Sequence, residues 1–161
     1  MPFFTAKHIK NIVLNYCVTI MTFNEKLGAG TTIVDSLLNG GYERGIITPI
    51  YGPAGAGKTN LSLLASINAV SADKKVIYVD TEGGFSVERL KQLTPNHLHV
   101  MSHVLFMQPT TFAEQQKCFE RLKGLISNKI GLIVIDSIAM LYRVELGTNT
   151  EVYETNRELG R

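Results

Sequence analysis

The stretch IITPIYGPAGAGKTNLSLLASINAVS, residues 46–71, passes without interruption from a β-rich run through a glycine-rich turn into a helical pattern. Ile46 to Tyr51 reads as a strand, and Lys58 to Ser71 carries Leu, Ala and Ile at helical spacing. Between them Gly52, Pro53, Ala54, Gly55, Ala56, Gly57, Lys58 and Thr59 satisfy GxxxxGK[ST]. Average residue frequencies give this pattern by chance in roughly one chain of this length in two hundred, so its placement between strand and helix carries the reading. The glycines let the backbone curl until successive N–H groups point at phosphate oxygens, and the helix N-terminus adds partial positive charge behind them. A side chain at Gly57 is expected to intrude there. Lys58 supplies a mobile charge for the β and γ phosphates, and the Thr59 hydroxyl is a hard oxygen ligand for Mg²⁺. The run expected to contact the nucleotide extends to Asn60, and the expected ligand is ATP with Mg²⁺.

Upstream and downstream the same alternation continues. TTIVDSLLN, Thr31 to Asn39, reads as a short helix stopped by Gly40 and Gly41. KVIYVD, Lys75 to Asp80, is a strand apolar enough for burial on both faces, and Ser86 caps a helix over VERLKQL. VLFMQ, Val104 to Gln108, gives a third strand. Thr111 and Glu114 form a capping box for a helix to about Ser127, and GLIVID, Gly131 to Asp136, is the fourth strand. Strands alternating with helices predict an α/β fold with a mostly parallel sheet covered on both faces. In such a sheet ligands bind at the carboxyl edge. Asp136, ending an apolar strand there, is the candidate for holding the magnesium shell through water. Glu82, directly after the second strand at the same edge, is the candidate for orienting the attacking water. Glu82 and Lys58 are thus the expected catalytic pair.

Composition neither adds to this nor opposes it. The chain has 161 residues, 45% apolar and 19% charged, with a formal charge of +2, ordinary for one soluble domain and too weakly basic to imply nucleic acid. Cys17 and Cys118 lie far apart without CxxC spacing, which predicts reduced thiols in a cytoplasmic protein. His97, His99 and His103 form a loose cluster, the last two on one helix face, but no cysteine or suitably spaced acid joins them as a zinc site. Near the start, Lys7 and Lys10 before INIVLNYCVTIM imitate a signal peptide. Asn11, Asn15 and Thr19 interrupt the apolar run and no cleavage site follows, so neither export nor a membrane span is expected.

With these residues in place, YVDTEGGFSVERL from Tyr78 to Leu90 resembles a stretch of the RecA and RadA recombinase superfamily. GPAGAGKTN, VIYVDTEGGFSVERLKQL and IVIDSIAMLYR together are most similar to its RadB branch, the archaeal RadA paralogues. KLGAGTTIVDSLLNGGYERG matches the pattern that opens the same ATPase core, so the resemblance runs from about Met21 to Arg161. It implies a RecA-like P-loop core over residues 21–161, with residues 1–20 an N-terminal extension from an alternative start. It also implies that Glu82 is the water-positioning glutamate. The implied function is DNA repair and homologous recombination, with ATP and DNA binding, weak hydrolysis and no strand exchange. The implied partners are single-stranded or branched DNA, a RadA-type recombinase and further copies of the chain. An active DNA-dependent recombinase ATPase, or a KaiC-type regulatory ATPase on the same core, are the alternatives.

DNA contact in the superfamily falls beyond the Asp136 strand, here between Arg143 and about Thr150. VELGTNT carries one acid and no base, which leaves Arg143, Arg157 and Arg161 as phosphate partners. Phe3 and Ala6 match the FxxA by which RadA-type subunits join, a coincidence on two letters. The resemblance also implies a further strand beyond Arg161, between the phosphate-loop strand and the Asp136 strand. Without it both are expected to expose unpaired backbone, leaving a fragment that is oligomeric or poorly soluble and inactive as an ATPase.

Overall fold

The computed structural model describes residues 17–19 and 26–148. Strand β1 (Cys17–Thr19) and helix α1 (Thr32–Leu37) precede β2 (Ile47–Pro49), α2 (Lys58–Ser71) and β3 (Lys75–Asp80). Helices α3 (Val87–Leu93) and α4 (His97–His103) lead to β4 (Val104–Met107), followed by α5 (Phe112–Leu125), β5 (Ile130–Asp136) and α6 (Met140–Thr148). The five strands form one sheet in the order β2-β1-β5-β3-β4. β3 is parallel to β4 and β5, while β1 runs antiparallel to both β2 and β5, so the other four strands share one direction. Their carboxyl ends therefore meet at one edge, to which β2 delivers the phosphate loop, β3 the Glu82 turn and β5 Asp136.

Local chemistry accounts for most of these limits. Thr31 accepts from the Val34 N–H at 3.1 Å and starts α1, and Ser86 accepts from the Arg89 N–H at 3.2 Å and starts α3. At α5 the Thr111 hydroxyl accepts from the Glu114 N–H at 3.2 Å, as a capping box requires. The return bond differs: the Glu114 carboxylate takes the N–H and hydroxyl of Thr110, one residue earlier than the box prescribes. These bonds hold the Glu114 carboxyl below the usual range.

Period-two alternation splits the core in two. Val76, Tyr78, Leu132 and Val134 pack beneath α2, α3 and α4, against Leu63, Ala65, Leu90 and Val100. Ile77, Val79, Ile133 and Ile135 face the other way, against Leu122 and Phe119 of α5. All seven residues of β5 are buried, as a strand covered on both faces requires.

One expectation is corrected here. The gap between the phosphate-loop strand and the Asp136 strand is occupied: Cys17, Val18 and Thr19 stand opposite Pro49, Thr48 and Ile47 on one side and Ile135, Val134 and Ile133 on the other. Backbone groups with no parallel neighbour are satisfied here by an antiparallel one, which needs no helical crossover to reach them. Arg157, Arg161, Phe3 and Ala6 lie outside the described residues. Among the described residues no helix is long and apolar enough to cross a membrane.

Candidate nucleotide site

Gly55 and Gly57 have φ of 76° and 89°, the left-handed conformations that curl a loop back over a helix start. Gly57 is the N-cap residue of α2, and no side chain caps the helix. Its first N–H groups therefore face the loop's interior without a side-chain acceptor. Among the described residues the constraint at Gly57 is conformational: an added Cβ there would meet nothing within 4 Å. The Lys58 ammonium donates to the carbonyls of Gly52 at 3.0 Å and Pro53 at 2.8 Å. It thus lies folded over the loop. Asn60, in the first turn of α2, accepts from Arg89 Nε at 2.9 Å. This bond ties α3 to the helix that follows the loop.

Thr59 and Asp136 come together as expected. The Thr59 hydroxyl donates to Asp136 Oδ2 at 2.9 Å, and a second donor, the buried Tyr78 hydroxyl, reaches the same oxygen at 3.0 Å. The other oxygen, Asp136 Oδ1, is buried with no hydrogen-bond partner among the described residues. Burial pushes the Asp136 carboxyl up from the ordinary range; the Thr59 and Tyr78 hydrogen bonds pull against it, and the charges of Asp80 and Glu82 add to the rise. A desolvated carboxylate with one orphaned oxygen beside a threonine hydroxyl is an incomplete set of hard oxygen donors, and it suits Mg²⁺.

Glu82 is exposed on the turn after β3, and its charge is felt at Asp136. Asp80, buried to 1% exposure, holds that turn. Its Oδ1 accepts from the N–H groups of Glu82 at 3.2 Å, Gly83 at 2.8 Å and Gly84 at 3.1 Å, and its Oδ2 from that of Phe85 at 3.0 Å. Four backbone donors fall to one carboxylate, an anchor that sequence reasoning missed. The signal was there: an aspartate followed by two glycines within four residues, the composition of a side-chain-closed turn. Thr81 ties the turn to β5, donating to the Ser137 carbonyl and accepting from the Ser137 N–H at 2.9 Å. The peptide between Asp136 and Ser137 is cis. Across the turn Gly84 approaches the loop side, where a Cβ would stand 3.5 Å from the Thr59 hydroxyl. Arg143 is exposed on α6, and its Nε reaches the Ala139 carbonyl at 3.4 Å.

Elsewhere a cleft of about 420 Å³ lies at the opposite end of α2, lined among others by Ser71, Asp73, Asn96 and His99. Its lining includes neither the loop nor the two carboxylates. The His99 and His103 rings lie 4.3 Å apart on α4, tilted 49° to one another.

This geometry agrees with what the sequence matches as a whole. The Rad51 family model matches residues 23–161, taking in the loop, the Glu82 turn and Asp136 together. The chain belongs to the Rad51 family. Among its relatives, the DNA repair and recombination protein RadB of Methanococcus maripaludis is 44% identical over 80% of this chain and 60% of that protein. The RadB of Methanocaldococcus jannaschii is 47% identical over 71% of this chain and 54% of that protein. A crystal structure of a RadB recombinase superposes with a TM-score of 0.67 at 39% identity, covering 83% of this chain and 61% of that one. The chain thus spans about three fifths of the length of the Methanococcus maripaludis relative. The RecA-like α/β fold is shared with that neighbour.

Proposed function

We propose that this chain binds ATP with Mg²⁺ and contacts DNA as an accessory factor in homologous recombination and repair, turning ATP over slowly and carrying out no strand exchange itself. The observation that supports it most is the meeting of Thr59 and Asp136 at 2.9 Å behind an uncapped helix start, with Asp136 Oδ1 left without a partner. Backbone N–H groups between Gly52 and Thr59 take the phosphate oxygens, and Lys58 leaves the Gly52 and Pro53 carbonyls to neutralise the β and γ phosphates. Thr59 and Asp136 hold the cation, Asp136 through water. Magnesium, when bound, supplies positive charge where negative charge gathers on the transferring phosphate. Glu82 orients the attacking water and is held in reach by the turn that Asp80 closes.

Separating binding from hydrolysis tests the assignment. Glu82→Gln keeps the turn, because the Asp80 bonds go to backbone N–H groups. It should leave nucleotide affinity within about two-fold while removing residual ATPase activity, by about 10²-fold if general-base assistance is the only loss. Loss of binding in a fluorescence titration would make Glu82 a structural residue. A hydrolysis rate raised strongly by single-stranded DNA would favour the active-recombinase reading over the accessory one.

For DNA, Arg143 and Arg157 are the proposed phosphate partners. Arg143→Ala should weaken binding to all sequences alike and reduce the slope of log K against log salt by about 1. An unchanged slope in a polarisation assay at several salt concentrations removes Arg143 from the interface. RadA-type recombinases and further copies of the chain are the proposed protein partners, and the cytoplasm the proposed compartment.

A further inference from the structure

We propose that Tyr78 is a positioning residue for the cation: its hydroxyl bonds the same Asp136 oxygen that Thr59 reaches, and so fixes the carboxylate beside the proposed magnesium site. This deepens the nucleotide reading above and rests on it.

A carboxylate has about four lone-pair directions and rotates about its last bond unless something fixes it. Asp136 Oδ2 takes two hydroxyl donors, Thr59 at 2.9 Å and Tyr78 at 3.0 Å, while Oδ1 is buried and takes none among the described residues. The unused lone pairs of the carboxylate are therefore concentrated on Oδ1. The two anchors are not equivalent. Thr59 is itself a proposed cation ligand and sits at the start of the helix behind the phosphate loop, so its position follows the nucleotide. Tyr78 is built into the sheet. Its residue is 0% exposed, and its ring is wedged edge-on against Phe85 at 5.1 Å and tilted against Phe106 at 5.9 Å. Phe85 and Phe106 also touch each other at 4.8 Å, which closes a three-ring cluster around the tyrosine. β3 and β5 pair with Tyr78 opposite Val134 and Asp80 opposite Asp136, so the phenol reaches diagonally along the sheet. A buried tyrosine hydroxyl must find a partner, and this one is aimed at a carboxylate at the sheet's carboxyl edge. Partners behind a ligating group orient it, and their loss commonly lowers metal affinity ten- to a hundred-fold.

Tyr78→Phe removes one oxygen and keeps the ring packing. The experiment is a titration of N-methylanthraniloyl-ATP into the full chain, first in EDTA and then against Mg²⁺ at fixed nucleotide, for wild type, Tyr78→Phe and Lys58→Ala. The expected result is an EDTA affinity unchanged in Tyr78→Phe and a Mg²⁺ midpoint raised about ten-fold. A purely structural tyrosine would lower the melting temperature without moving that midpoint. Phe106→Leu, which loosens the ring's support but retains the hydroxyl, provides a second variant and should move the midpoint the same way by a smaller factor. A Tyr78→Phe midpoint within two-fold of wild type overturns the proposal, and if that variant does not fold, an unmoved midpoint in Phe106→Leu does the same. Uptake by wild type that is lost in Lys58→Ala, together with an unmoved Tyr78→Phe midpoint, overturns this inference while the nucleotide reading stands. No uptake by wild type removes both.

Discussion

Replacing Lys58 with alanine is expected to weaken ATP binding by roughly thirty-fold to a few thousand-fold, the equivalent of about 2 to 5 kcal/mol for removing one partner of a desolvated charge pair. The ammonium has no substitute in the loop: the other groups from Gly52 to Thr59 are backbone, a proline ring, small side chains and a hydroxyl. Its bonds to the Gly52 and Pro53 carbonyls, at 3.0 and 2.8 Å, are exposed, so water can take its place there when alanine removes it. A large loss of affinity with a nearly unchanged melting temperature is the signature to look for, by titration and thermal denaturation of the same preparation. Unchanged affinity would defeat the site assignment.

The second large effect concerns stability. Asp80→Ala strips four backbone N–H groups of their acceptor in one step. An unsatisfied buried donor costs about 1 to 3 kcal/mol, but this turn is partly exposed and water recovers some of the loss, so about 3 to 5 kcal/mol overall is expected. For a chain of this size that is a fall in melting temperature of roughly 6 to 20 °C. Asp80→Asn should cost less, because its amide oxygen can serve one side of the turn while its NH₂ opposes the Phe85 N–H or its neighbours. Hydrolysis should fall with the turn in both variants, since Glu82 is the first residue that Asp80 holds. A melting temperature within 2 °C of wild type for Asp80→Ala would show that the turn is held by its other contacts, chiefly Thr81 on Ser137.

The parts of this fold that were legible in the sequence are those decided locally. Ser86 and Thr111 begin α3 and α5 where their hydroxyls predicted, and the Lys58 to Ser71 and Lys75 to Asp80 limits coincide with those of α2 and β3. Each depends on a periodicity or a cap within a few residues. The Thr59–Asp136 pairing was legible because the loop reading asks for an acid at the end of another buried strand. Strand β1 was not: Cys17–Thr19 is three residues long, and its place is decided by unpaired backbone on β2 and β5, not by its own pattern. Asp80 was hidden by its position at the end of an apolar strand, where it reads like any strand-ending acid. Tyr78 was hidden by good packing, since in KVIYVD it passes for one more core residue until its hydroxyl is followed to Asp136. The α5 cap shows how far local rules reach, because the threonine half holds and the glutamate half slips by one residue.

The most direct test of the account is a titration of the native protein with N-methylanthraniloyl-ATP in the presence of magnesium. Saturable uptake at one site per chain, competed by unlabelled ATP and weakened when magnesium is chelated, is the predicted result. Fluorescence that stays flat across the titration, in protein shown to be folded by circular dichroism, would contradict it.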